Sequence, residues 1–100
     1  GYHTDSLCKF IKVLHKHATS GQLTLKDIVE TARQMRRVFV DETVVNEEMK
    51  IKGIDKFVMS LMQIMSDYTC MEEGFMLAPP KDNARTRKLA SMIDNELEIT

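Results

Sequence analysis

Residues 54–68, IDKFVMSLMQIMSDY, constrain the fold of this chain more than any other stretch. Apolar side chains recur there at alternating steps of four and three residues: Ile54, Val58, Leu61, Met65 and Tyr68. This spacing places them on one face of an α-helix. Phe57, Met62 and Ile64 widen the apolar arc to about half of the circumference, which is typical of a central helix that several others cover. We therefore expect this helix to form the core.

The sequence allows two lengths for the central helix. An apolar residue recurs every seventh position along a longer region: Val44, Ile51, Val58 and Met65. One helix could therefore run from about 44 to 72, with Gly74 as its stop. However, Gly53 weakens a helix by about 1 kcal/mol relative to alanine. In the alternative, a short helix ends at Lys52 and the central helix, about 54–72, begins near Asp55.

Polar residues that can cap helix N-termini mark the remaining helices. They are Thr4 or Asp5 for the first helix, Thr24 with Asp27 for the second, the 41–43 turn for the third, and Asp82 or Asn83 for the last. The chain is 43% hydrophobic and 29% charged and contains only 4 Gly and 2 Pro, a composition typical of a helix-rich globular protein. We predict one all-α domain over residues 1–100, a compact bundle of four to five helices. Because the chain begins with Gly1, we expect this domain to be part of a larger protein.

The second and the last predicted helix each carry a cluster of basic residues. Arg33, Arg36 and Arg37 lie on the second helix, whose apolar stripe is Leu25, Ile28, Val29, Ala32, Met35 and Phe39. Arg36 falls within that stripe, so its head should reach water or a carboxylate. Arg85 and Lys88 lie in the first turns of the last helix, where cations oppose the helix dipole. Since the formal net charge is -1, any attraction to an acidic partner must come from these local clusters.

The 73–83 connection contains three apolar residues, Phe75, Met76 and Leu77, followed by Pro79 and Pro80. Two interpretations are open. The three side chains can fold back over the bundle as a lid, or they can form an exposed docking segment. On the central helix, Met59 alone falls clearly on the polar side, where a methionine can contact the apolar residue of a partner.

No motif for catalysis, metal binding or a cofactor is present. The sequence lacks a P-loop, a dinucleotide fingerprint, a nucleophile elbow, a calcium loop and the paired spacing of zinc ligands. We therefore expect no catalytic residues, no metal site and no cofactor. Cys8 and Cys70 are too few for a disulfide scaffold and indicate an intracellular protein with reduced thiols, although a single bridge remains an alternative. No apolar run approaches the ~18 residues that span a bilayer.

The sequence-based hypothesis is a non-catalytic protein–protein interaction module. It would dock a partner helix or peptide, acidic and apolar in character, on an apolar groove with basic borders. The candidate contact residues are Arg33, Arg36, Arg37, Met59, Phe75, Met76, Leu77, Arg85 and Lys88. The first alternative is a helical domain that binds nucleic acid through a wider set of cations: Lys9, Lys12, Lys16, Arg33, Arg36, Arg37, Lys81, Arg85, Arg87 and Lys88. The second is a secreted four-helix signalling factor, which requires a bridge between Cys8 and Cys70.

Overall fold

Five α-helices form most of the described chain. The computed structural model describes residues 2–37 and 40–99, and no β-strand occurs within these ranges. The helices are α1 (Tyr2–Thr19), α2 (Leu25–Arg37), α3 (Glu42–Ile51), α4 (Asp55–Thr69) and α5 (Ala84–Ile99), with a 3₁₀ turn at Glu73–Phe75. The predicted all-α bundle is confirmed. Phe39, which we expected to extend the stripe of α2, lies outside the described residues.

Helix α4 is the centre of the bundle. It packs against α2, α3 and α5, while α1 packs against α2 and α3. Leu61, Met62, Ile64 and Met65 are completely buried. An apolar arc this wide needs neighbours on several sides, because each exposed face would keep large side chains in water. The prediction that α4 is a core helix is confirmed.

The chain turns between α3 and α4 instead of continuing as one helix. Gly53 has a φ of 73°, a conformation that glycine adopts without steric cost. The amide of Ile54 then donates to the carbonyl of Met49 at 2.9 Å. The seven-residue seam is consequently broken, and Val44 and Ile51 are 44% and 83% exposed. Of the two predicted lengths, the shorter central helix is correct.

The end of α4 differs from the prediction. The helix stops at Thr69, because Cys70 adopts a left-handed conformation with φ 54°. Its backbone N–H is directed to the carbonyls of Met65 and Ser66, which satisfies acceptors at the helix end. Glycine is the usual residue at such a position, and for this reason the sequence suggested Gly74 as the stop. Gly74 lies instead within the 3₁₀ turn.

Side-chain caps fix the starts of the second, third and last helices as predicted. The amide of Asp27 donates to Thr24 Oγ1 at 3.2 Å, and the amide of Thr24 donates to Asp27 Oδ2 at 3.3 Å. Asp41 Oδ1 accepts from the amide of Val44. Asn83 Oδ1 accepts from the amide of Thr86 at 3.0 Å. These bonds satisfy amides that have no partner within the helix.

The predicted start of the first helix is wrong. Helix α1 already begins at Tyr2, so Thr4 and Asp5 lie inside its first turn. Thr4 is buried, and its hydroxyl accepts a hydrogen bond from the amide of Asp41 at 3.2 Å. The hydroxyl therefore holds α1 against the start of α3 instead of capping its own helix.

Helices α4 and α5 run parallel. Ser60 lies beside Asn83 near one end of the pair, and Tyr68 lies beside Asp94 near the other. Residues 70–83 must therefore carry the chain back along α4; we call them the crossover. The side-chain amide of Asn46 donates to the carbonyl of Leu77 at 2.7 Å, and the amide of Lys81 donates to the carbonyl of Met59 at 3.1 Å. These bonds fix the crossover against α3 and α4.

Candidate functional site

A surface groove lies between α2 and the C-terminal end of α4. Its volume is about 610 Å³. Three arginines, Arg33, Arg36 and Arg37, line it together with four other residues: Val29, Ala32, Tyr68 and Thr69. We call this the arginine groove. It brings together all three candidate residues that the sequence places on the second helix.

The sequence of α2 explains why the arginines share one side. Ile28, Ala32 and Met35 are buried, so they orient the helix against the core. Arg33, Arg36 and Arg37 are spaced by three and four residues and therefore form an adjacent stripe. Val29 lies on the border between the two stripes and is 38% exposed. The groove consequently presents apolar surface directly beside guanidinium groups.

Arg36 also stabilises the end of α4. Its Nη2 donates to the carbonyl oxygen of Thr69 at 2.8 Å. This carbonyl belongs to the last turn of the helix, where backbone acceptors lack intrahelical partners and carry partial negative charge. The sequence suggested that the head of Arg36 reaches water or a carboxylate; the side chain is exposed, and its protein partner is a backbone carbonyl. Substitution of Arg36 would therefore change stability as well as any binding function.

The arginines of the groove lack acidic partners. Among the described residues, no carboxylate lies within ion-pairing distance of Arg33, Arg36 or Arg37, whereas Lys12 and Arg87 each have a carboxylate partner. Helix α2 also carries two acidic residues, Asp27 and Glu30, but neither pairs with these arginines. The groove therefore keeps an uncompensated positive charge.

Tyr68 supplies a neutral aromatic surface at the end of the groove. Its hydroxyl donates to Asp94 Oδ1 at 2.7 Å, which binds α4 to α5. Burial, and secondarily the bond to Asp94, raises the pKa of Tyr68 to about 12. The phenol is therefore neutral at physiological pH. Tyr68 and Val29 were missed as candidates because their spacing placed both on buried stripes.

Arg85 and Lys88 lie in a different groove, of about 340 Å³, formed by α1, α4 and α5. Phe57 lines it and packs edge-on against His15, with 5.1 Å between the ring centroids. Phe57 and Tyr68 are eleven residues apart on α4, which corresponds to about 16 Å along the helix. The structure therefore does not unite the basic residues of the second and last helices in one groove.

The apolar candidates occupy three different environments. Met76 and Leu77 are buried and belong to the core, so the lid interpretation describes these two side chains. Phe75 is 43% exposed. Met59 is half-buried, and its carbonyl accepts from Lys81 of the crossover. Only Phe75 among the four presents a large exposed surface.

The histidines and cysteines considered for chemistry are dispersed. His17 Nδ1 lies 3.0 Å from Asp27 Oδ2, while His15 contacts Phe57. Cys8 is buried and Cys70 exposed, and both are free thiols. Burial, followed by the nearby Glu48 carboxylate, raises the pKa of the Cys8 thiol, which makes it a poor nucleophile. The described residues contain no group of three or more His, Cys, Asp or Glu side chains that could hold a metal ion.

Comparison with known proteins provides no relative on which to base a function. The chain matches no family model, no curated protein and no solved structure. Within the described ranges, no helix has both the length and the apolar character needed to cross a membrane. A functional hypothesis therefore depends on the surface alone, and the arginine groove is its strongest feature.

Proposed function

We propose that the protein is a non-catalytic interaction module that binds an acidic, partly apolar segment of another protein in the arginine groove. The observation that carries this proposal is the presence of three arginines without carboxylate partners beside the exposed Val29 and the neutral Tyr68. A partner segment with carboxylates next to an apolar side chain would satisfy both features of this surface.

Physical considerations favour a protein segment as the ligand. Guanidinium groups bind carboxylates with two parallel hydrogen bonds, and their planar faces pack against apolar groups. The groove is open to solvent, so a helix or an extended peptide can lie across it. The side chains of Arg33 and Arg37 make no hydrogen bond or ion pair within the described chain, so binding would not require an existing side-chain contact to break.

The proposed module is intracellular. The two free thiols support this location, because reducing compartments keep cysteines unpaired. A thiol count on the denatured, unreduced protein tests the alternative of a secreted factor. Two reactive thiols per chain are expected, and none would indicate a disulfide and favour the secreted alternative.

The binding test uses a fluorescein-labelled peptide whose leucines recur at helical spacing and whose other positions are glutamate or alanine. Fluorescence anisotropy should report binding that the double substitution Arg33→Ala with Arg37→Ala weakens by about two- to thirtyfold, since each of the two exposed charge pairs contributes about 0.2–1 kcal/mol. Arg36 is left intact because of its bond to Thr69. The matched control, Lys50→Ala with Lys56→Ala, removes the same charge from exposed positions outside the groove.

Two results would contradict the proposal. One is equal binding by both double variants, which would place the peptide elsewhere or make its attraction non-specific. The other is stronger binding to a single-stranded oligonucleotide than to the peptide, with a steep loss of oligonucleotide affinity at higher salt. That second result would favour nucleic acid as the ligand of the same arginines. A peptide with lysine in place of glutamate should not bind.

A further inference from the structure

The 72–75 turn of the crossover has the chemistry that the arginine groove requires. Glu72 and Glu73 are exposed, and Phe75 presents a 43% exposed ring two residues further on. We propose that a second copy of this chain is a partner of the groove, with its 72–75 turn as the occupant. This inference rests on the proposed function and names the partner for the same site.

The turn is held in shape before any contact forms. The amide of Phe75 donates to the carbonyl of Glu72, and the amide of Met76 donates to the carbonyl of Glu73, each at 3.0 Å. The buried side chains of Met76 and Leu77 then anchor the chain directly after the turn. Binding therefore orders few additional residues, which lowers its entropic cost.

Within one molecule the turn does not line the arginine groove. The left-handed Cys70 reverses the chain after α4, and Asn46 of α3 holds the carbonyl of Leu77. Glu73 lines a depression that also contains Glu42 of α3, not the arginine groove. In the described part of the chain, neither Glu72 nor Glu73 pairs with an arginine. The two complementary surfaces are thus both free to meet those of another copy.

The positions of the two surfaces favour a reciprocal contact. Thr69 lines the groove and Glu72 opens the turn, so only two residues lie between them and their Cα atoms are at most about 11 Å apart. A two-fold interface requires both complementary parts on the same patch, so that each copy gives a turn and receives one. A formal net charge of -1 per chain adds little repulsion between the copies. We therefore expect a symmetric dimer, twice the 11.5 kDa of one chain.

Sedimentation equilibrium at low salt tests this contact. The unmodified chain should approach the dimer mass as its concentration is raised to about 1 mM, because a contact of this small size is expected to be weak. Reversal of the turn charges, Glu72→Arg with Glu73→Arg, should weaken the dimer at least tenfold. Reversal of the groove charges, Arg33→Glu with Arg37→Glu, should do the same. An equimolar mixture of the two reversed variants should form a dimer, because each reversed turn now complements the reversed groove.

Two additional measurements keep the outcomes separate. Phe75→Ala removes the ring without a charge change and should also weaken the dimer, and circular dichroism must show that every variant keeps its helices. A single-chain mass at all concentrations, or a dimer that none of these substitutions affects, overturns the inference. If such a protein still binds the acidic peptide through Arg33 and Arg37, the proposed function stands and only the second copy is excluded as a partner.

Discussion

Two isoleucines provide a direct test of the break between α3 and α4. Ile51 belongs to the seven-residue repeat that would bury it in a continuous helix, but it is 83% exposed. Ile64, on α4, is completely buried. Replacing each residue by alanine removes the same atoms, so the difference between the two variants depends on their surroundings.

The structure gives the expected magnitudes. Full burial of an isoleucine stabilises a protein by about 1.5–3 kcal/mol, so Ile51, which is 83% exposed, contributes at most about 0.5 kcal/mol. The better helix propensity of alanine offsets part of this loss. At Ile64 the substitution leaves a cavity in the core, and such changes typically cost about 2–5 kcal/mol. The Ile64→Ala variant should therefore melt about 10 °C or more below the unmodified protein.

Urea denaturation followed by circular dichroism at 222 nm measures both free energies of unfolding. We expect Ile51→Ala to remain within about 0.5 kcal/mol of the parent, with an unchanged urea dependence. A loss above about 1.5 kcal/mol would refute the reasoning, since it would place Ile51 in a core formed by one continuous helix. Equal losses for the two variants would have the same meaning.

Three further predictions concern the helix ends and one ion pair. Cys70→Gly should raise the free energy of unfolding by about 0.5–1 kcal/mol, because the left-handed conformation of residue 70 strains an L-residue. Gly53→Ala should lower it by about 1 kcal/mol, because it introduces the same strain at residue 53. The melting temperatures of the two variants should therefore shift in opposite directions. Asn83→Ala removes the cap of α5 and should cost about 1 kcal/mol in urea unfolding, whereas Asn83→Asp should cost less because aspartate also caps helices. Lys12 Nζ lies 2.6 Å from Glu48 Oε1 and lowers the pKa of the Glu48 carboxyl. The stability that this ion pair contributes is therefore fully present above the unfolded-state pKa of Glu48. It is lost as the pH falls through the lower folded-state pKa. Urea midpoints of Glu48→Gln between about pH 5 and 3 should consequently change less than those of the parent, and an equal change would contradict this role for the pair.

The sequence was sufficient to predict the helical class and most helix starts. The repeat in residues 54–68 identified the core helix, and the N-cap hydrogen bonds of Thr24 and Asn83 formed as expected. Both signals are local, since they depend on residues within one or two turns of each other. Such signals can be read without knowledge of the tertiary fold.

The remaining features depend on tertiary structure or on rare backbone geometry. The left-handed conformation of Cys70 ended α4 before Gly74, although cysteine seldom adopts it. The Arg36 side chain donates to the carbonyl of Thr69 in α4, thirty-three positions away in the chain. Arg85 lies in a second groove because α5 runs parallel to α4, and no local pattern in the sequence specifies that direction.

The parallel arrangement of α4 and α5 also affects how the bundle opens. Their paired residues are separated by 23 positions at Ser60 and 26 at Tyr68, whereas an antiparallel hairpin would begin with a separation of about four. Closing the longer loop costs about 1.5 kcal/mol more in chain entropy than closing a four-residue loop. Helix α5 packs mainly on α4, so detaching it would release this entropy and disturb few other contacts. We expect the amide hydrogens of α5 to exchange with solvent through a partial opening in which α1 to α4 stay together. Each such opening would expose the apolar side of α4 that normally faces α5.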